Sequence, residues 1–105
     1  MRPDDSVKDA VIEEVTIGLD GIFDGPAARR LEAVLARAEP GTRFRIDLAK
    51  VREFQDFGIG VLAHAITRCR ARVALRGVRN HQIRMLRYFG VDEATLGAAI
   101  VPDPA

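Results

Sequence analysis

Four kinds of side chain in this sequence could do chemistry: carboxylates around position 50, two histidines, one cysteine and a pair of closely spaced glycines. Asp47, Glu53 and Asp56 fall within one short stretch, and two carboxyl groups brought together are what general acid-base chemistry requires. No second catalytic residue type accompanies them. Cys69 and His64 have the identities of a nucleophile and its base, but five positions on a helix separate them by about 140°, so they point roughly opposite ways. His64, His81 and Cys69 are too few and too scattered for a metal cluster. Gly58-Ile59-Gly60 lacks the lysine and flanking glycines of a phosphate-cradling loop. The sequence therefore reads as a non-enzyme with no cofactor and no metal.

The elements that must position these groups follow from periodicity. Phe44, Ile46 and Leu48 alternate, which predicts a central strand over Thr42 to Leu48, and Ile59, Leu62, Ala63 and Ile66 then recur at helical spacing. That helix is expected from Phe57 to about Arg68 with Asp56 as its cap, leaving Ala49 to Phe57 as a polar turn on a rigid base. Upstream, Val15, Ile17 and Leu19 alternate within a first strand over Val11 to Leu19. Asp20-Gly21 is a hairpin signal, so Ile22-Phe23 is expected to return antiparallel. Asp24-Gly25-Pro26 opens a helix with Ala28, Leu31, Leu35 and Ala38 inward, and Pro40-Gly41 ends it. Downstream come a strand from Ala71 to Arg76, a helix from His81 to Phe89 capped by Asn80, and Gly90 where positive φ is needed. Val91 is expected to make a brief strand contact and Asp92 to cap a last helix, Glu93 to Ala99. The order β-β-α-β-α-β-α defines an α/β domain, a mixed β-sheet packed against helices mainly on one face.

With 105 residues, 48% apolar and 30% charged, the chain is expected to form one globular domain. Residues 11–99 would be that domain, 1–10 a flexible N-terminal segment and 100–105 a flexible tail. The single cysteine cannot form an internal disulfide, the start MRPDDSVKDA has no apolar core of a signal peptide, and no run could cross a bilayer. A cytoplasmic location is the expectation. The net charge of +1 conceals an asymmetry: residues 57–91 hold seven arginines and no acid, against an acidic excess on either side. Arg76, Arg79, Arg84 and Arg87 are expected to form a positive patch. No aromatic interleaving accompanies them, so nucleic-acid or other anionic-ligand binding rests on charge alone.

From Asp47 onward the order is Asp-Leu, a small residue, a valine, then a polar pair before Gly58, Ile59, Gly60, Val61 and Leu62. This resembles the signature of STAS domains, typified by bacterial anti-sigma factor antagonists. Leu19-Asp20-Gly21-Ile22-Phe23-Asp24 is similar to that family's opening, and the likeness covers roughly Val15 to Val91. It implies a STAS-like fold and a non-catalytic protein-interaction module in signalling, whose partner is a histidine-kinase-like serine kinase that doubles as anti-sigma factor. The partner-binding face it implies is Lys50, Arg52, Glu53, Phe54, Gln55, Asp56, Phe57, Gly58 and Ile59, with Asp20 and Asp24 adjacent. In the family a serine or threonine, phosphorylated by the kinase, occupies the position of Asp56. Here the hydroxyl is absent, so Asp56 either caps its helix or also imitates the phosphorylated state. Phe54 is expected to fill the sheet edge and Phe57 to stand exposed as an anchor. The alternative is a STAS-like scaffold subunit of a transport or stress-sensing complex.

Overall fold

The computed structural model describes residues 13–96. Alternating apolar residues lay down three strands, β1 (Glu14–Phe23), β2 (Arg43–Phe54) and β3 (Arg72–Arg76). They pair in parallel in the order β1-β2-β3. A parallel neighbour can be reached only by a crossover, and the helices α1 (Gly25–Ala36) and α2 (Asp56–Arg68) supply the two that are needed. After β3 come α3 (Asn80–Tyr88) and the single turn α4 (Glu93–Leu96).

The core lies on one face of this sheet. Phe44, Ile46 and Leu48 of β2 and Val73 and Leu75 of β3 are buried there against Leu31 and Leu35 of α1 and Ile59, Leu62 and Ala63 of α2. Ile83 and Leu86 dock α3 onto the same cluster, and Thr95 and Leu96 bury α4 beside β3. The alternate residues of the strands, including Thr16, Arg43, Arg45 and Arg72, are exposed on the other face. One-sided helices and an α/β layer match the expectation from the order of elements.

The expected hairpin does not form. β1 runs unbroken through Asp20-Gly21 to Phe23, and among the described residues the sheet is parallel throughout. Gly21 does take the positive φ (71°) that its place in the sequence signalled, but spends it inside the strand, between register shifts at Gly18/Asp20 and Gly21/Ile22. An irregularity of this kind re-aims a strand without ending it.

The second correction concerns β2, which continues through Phe54 because the extended end of β1 gives it a partner as far as the pair Phe23↔Phe54. Lys50 to Phe54 is therefore strand and not turn. Asn80 opens α3 as its first residue, with Arg79 before it at the cap. Gly90 has φ of 100°, as expected, and Asp92 caps α4 through Oδ1, which accepts from the Thr95 N–H at 3.1 Å. Val91 enters no strand; its N–H closes the end of α3 on the Leu86 carbonyl. The expectations for 1–10, for 100–105 and for α4 beyond Leu96 lie outside the described residues.

Candidate functional site

The C-terminal ends of β1 and β2 finish side by side, and the two helices that follow begin together. In open parallel α/β sheets this edge is where ligands and partners collect, because loops and helix N-termini converge there. Phe23 and Phe54 are register partners with ring centroids 6.2 Å apart, and the Gln55 N–H donates to the Phe23 carbonyl at 2.9 Å. Asp24 is extended and its Oδ1 accepts from the Ala27 N–H at 3.0 Å, capping α1 with Pro26 in the first turn. Gly58 fixes the approach of the second helix: a Cβ there would lie 2.8 Å from the Asp24 carbonyl oxygen. Only a residue without a side chain lets α2 start this close.

Asp56 is the first residue of α2, exposed, while Gln55 holds the cap position and makes no side-chain capping bond. The expectation of Asp56 as the cap is corrected by one place. Its carboxylate still sits where the unpaired N–H groups and the helix dipole favour negative charge, an effect worth about 0.3–1 kcal/mol. His81 Nε2 from α3 lies 3.9 Å from Asp56 Oδ1, with both side chains open to solvent, so even a protonated His81 adds little.

Beside Asp56 an apolar cleft of about 600 Å³ runs between the helices. Phe57, Gly60 and Val61 of α2 form its floor, with Arg29 of α1 on one wall and Met85 and Phe89 on the other. Phe57 is 63% exposed and Phe89 46%, an unusual amount of aromatic surface for a chain in which aromatic residues are 6% of the total. The Phe57 ring lies against Gly25, where a Cβ would come within 2.9 Å of it, and the Arg29 guanidinium sits 5.8 Å from its centroid. Tyr88, 85% exposed, meets Phe89 edge to face at 5.5 Å.

The structure brings the sequence-predicted positions to one end of the molecule, in different roles. Lys50, Arg52 and Glu53 are exposed along the end of β2, and Asp20 is the register partner of Lys50. Phe54 is half-buried at the sheet end as expected, and Phe57 is exposed as expected. Gly58 and Ile59 are buried, so they position the surface and do not themselves present atoms to a partner. Asp47 turns to the Ala49 N–H (2.9 Å) and to Arg76 (3.2 Å), while Asp56 faces His81, so no carboxylate pair is assembled. Cys69 Sγ lies 3.3 Å from the Ala71 carbonyl and His64 3.4 Å from Arg68, which leaves the two apart.

Of the expected arginine patch, Arg76 is tied to Asp47 and Arg87 to Glu93 at 2.6 Å. The Arg87 hydrogen bond holds the Glu93 carboxyl below the usual carboxylate range and raises the guanidinium in turn. Sequence reasoning missed Arg29, Val61, Met85 and Phe89. The signal for Val61 was present, since Phe57 and Val61 are four apart and off the stripe of Ile59, Leu62 and Ala63; the rest come from other helices.

Comparison with known proteins agrees with this architecture. The profile of the family described as "Mlab, STAS domain" matches residues 7–102, nearly the whole chain, and the chain belongs to that family. Among solved structures it is similar to the STAS domain of a SulP transporter from Vibrio cholerae, with 18% identity, a TM-score of 0.58, and coverage of 86% of this chain and 73% of that one. At that identity the likeness is one of fold. No curated protein matches the chain. Among the described residues no helix is long and apolar enough to cross a membrane.

Proposed function

We propose that this STAS domain works by binding another protein, without catalytic turnover, and that its contact surface is the cleft beside Asp56. The observation that carries this reading is the exposed Phe57, flanked by Val61, Met85 and Phe89 and ringed by Arg29, Asp56 and His64. An aromatic anchor in an apolar patch with a polar rim is the usual composition of a protein interface. Position 56 bears no hydroxyl, so binding here is not gated by phosphorylation of that residue. A constitutive subunit of a larger assembly fits such a surface, and the fold shared with a transporter's STAS domain supports it.

A second reading keeps the partner a serine kinase that acts as anti-sigma factor in cytoplasmic signalling, with this chain as an antagonist-like module. The exposed Asp56 at the first position of α2 favours it, since a fixed negative charge stands where phosphate would be added. One experiment addresses both. The native chain, Phe57→Ala and Asp56→Ser are titrated calorimetrically against the partner recovered with the native protein, each variant first shown to be folded. Loss of at least about tenfold in affinity for Phe57→Ala, or about 1.4 kcal/mol, supports the cleft. Unchanged affinity refutes it. A kinase-like partner whose affinity responds to Asp56→Ser selects the antagonist reading, and indifference to residue 56 selects the assembly subunit.

A further inference from the structure

Beyond Asp56, α2 lines the apolar cleft with Phe57, Gly60, Val61 and His64. Their spacing, i, i+3, i+4 and i+7, is the diamond that encloses a hole on the flank of a helix, the socket into which a facing helix inserts one side chain. Gly60 is the deep corner of this hole. Glycine weakens a helix interior, and nothing inside the chain requires it here. A Cβ at position 60 would meet no atom within 4 Å beyond its own stretch of helix, whereas one at position 58 would strike the Asp24 backbone. The Phe57 ring is drawn aside onto Gly25, near the Arg29 guanidinium, which leaves the hole open.

What fills the hole follows from its surroundings. α1 bounds the cleft through Arg29 and Glu32, and the end of α3 through Met85 and Phe89, so every wall is the flank of a helix. The backbone ladder of α2 is closed from the Ile59 N–H on the Gln55 carbonyl (3.1 Å) to the Cys69 N–H on the Ala65 carbonyl (3.0 Å). An extended segment laid here would find no backbone groups to pair with and would leave its own unpaired against Phe57, Val61 and Met85. A helix arrives with its backbone already satisfied. A second copy of the chain is poorly shaped for the role, since its own α2 lies between two such walls. The charges along α2 give the direction. Asp56 is exposed at its start, and about 18 Å further along Arg68 is exposed, its Nη1 3.4 Å from His64 Nε2. A helix with acidic residues in its first turn and basic ones in its last, as the dipole favours, meets Arg68 and Asp56 with opposite charge only when it runs antiparallel to α2.

We infer that the partner of this cleft, whose role in protein binding is the reading proposed above, presents an amphipathic helix that runs antiparallel to α2 and seats one large apolar side chain, the size of leucine or methionine, in the hole formed by Phe57, Gly60, Val61 and His64. Its apolar residues recur three and four apart, its acidic first turn lies toward Arg68 and its basic last turn toward Asp56. Gly60 is then a specificity-determining position: it sets how deep the inserted side chain sits, and the helix stability forgone there serves recognition.

The probe is a synthetic peptide of about 16 residues, long enough to form a helix, built of alanine, glutamate, lysine and leucine with the leucines three and four apart, glutamates in the first turn and lysines in the last. Its comparator has the same composition with leucine at alternate positions, the period of a strand. Binding is followed by amide chemical shifts of the isotope-labelled chain, each variant first shown to be folded. Saturable shifts are expected at Phe57, Gly60, Val61 and His64, with the comparator at least about tenfold weaker. Gly60→Leu fills the hole and should weaken binding by about tenfold or more, while Val34→Ala, which trims exposed apolar surface outside the cleft, should change it by less than about twofold. A nitroxide on the N-terminus of the peptide should broaden the Arg68 amide and spare that of Asp56. Equal affinity for the comparator, no saturable binding of the helical peptide, or indifference to Gly60→Leu would overturn the helical partner. Broadening at Asp56 in place of Arg68 would overturn the antiparallel course. A native chain that dimerises in sedimentation, with the dimer lost in Gly60→Leu, would make a second copy the occupant and overturn the inference as well. Failure of the cleft itself reads differently, as a Phe57→Ala chain that keeps full affinity for the partner recovered with the native protein.

Discussion

Gly58→Ala and Gly60→Ala should move stability in opposite directions, although each puts the best helix-forming residue into the first half of α2. Helix preference alone favours alanine over glycine by about 1 kcal/mol at an interior position. At position 60 an added Cβ meets nothing within 4 Å outside the helix itself, so the gain stands. At position 58 the Cβ would lie 2.8 Å from the Asp24 carbonyl oxygen, 2.9 Å from its carbon and 3.1 Å from the Phe23 carbonyl oxygen. Those atoms are not free to yield: the Asp24 carbonyl accepts from Ala28 at 3.0 Å and the Phe23 carbonyl from Gln55 at 2.9 Å. Relief requires moving the start of α2 away from β1, and such overpacking costs about 1–3 kcal/mol, more than the preference returns. The net expectation is a gain of about 0.5–1 kcal/mol for Gly60→Ala and a loss of up to about 2 kcal/mol for Gly58→Ala. In a domain of this size each kcal/mol moves the melting midpoint by about 4–8 °C. Thermal and urea unfolding followed by circular dichroism measures both. A Gly58→Ala chain that melts at or above the native temperature would refute the close approach of the two helix starts. Since Gly60 lines the cleft proposed to bind a partner, its alanine variant should also combine higher stability with weaker partner binding.

Asp24→Ala removes the one side-chain cap at this edge and should cost about 1 kcal/mol, read as a lower urea midpoint with unchanged slope. Arg87→Gln should let the Glu93 carboxyl return upward toward its ordinary range, as followed by carbon-detected NMR titration. The sign follows from the depression. The Arg87–Glu93 contact adds stability above the unfolded carboxylate range and loses it as pH falls through the lower folded value, so the native chain and Arg87→Gln should converge in stability in acid.

The layout of helices and strands was legible because burial on one side leaves a period: Phe44, Ile46 and Leu48 announce a strand, and Ile59, Leu62 and Ala63 a helix. The errors arose where two structures share one signal. Asp20-Gly21 carries the positive-φ glycine of a hairpin, yet a glycine with that φ also serves a bulge, and which one forms depends on whether β2 extends far enough to pair with it. Lys50 to Phe54 looks like a turn because its pairing partner lies on the sheet edge, where polar residues are tolerated. The start of α2 was recognisable from Asp56 to Gly58, with the cap misplaced by one residue. The cleft beside Asp56 was not readable, since it exists only once separate helices have been brought together.

Phe57 lying on Gly25 beneath Arg29 has a consequence for the speed and entropy of recognition. An exposed aromatic ring normally samples several rotamers, and fixing one costs about 0.5–1.5 kcal/mol when a partner arrives. Here the flat seat left by a missing side chain and the cation above it hold the ring before any partner is present. The ordering cost then falls on folding and not on association. If this surface is the proposed interface, a partner meets a ring already ordered, and its dissociation rate should report contacts made, not motions frozen.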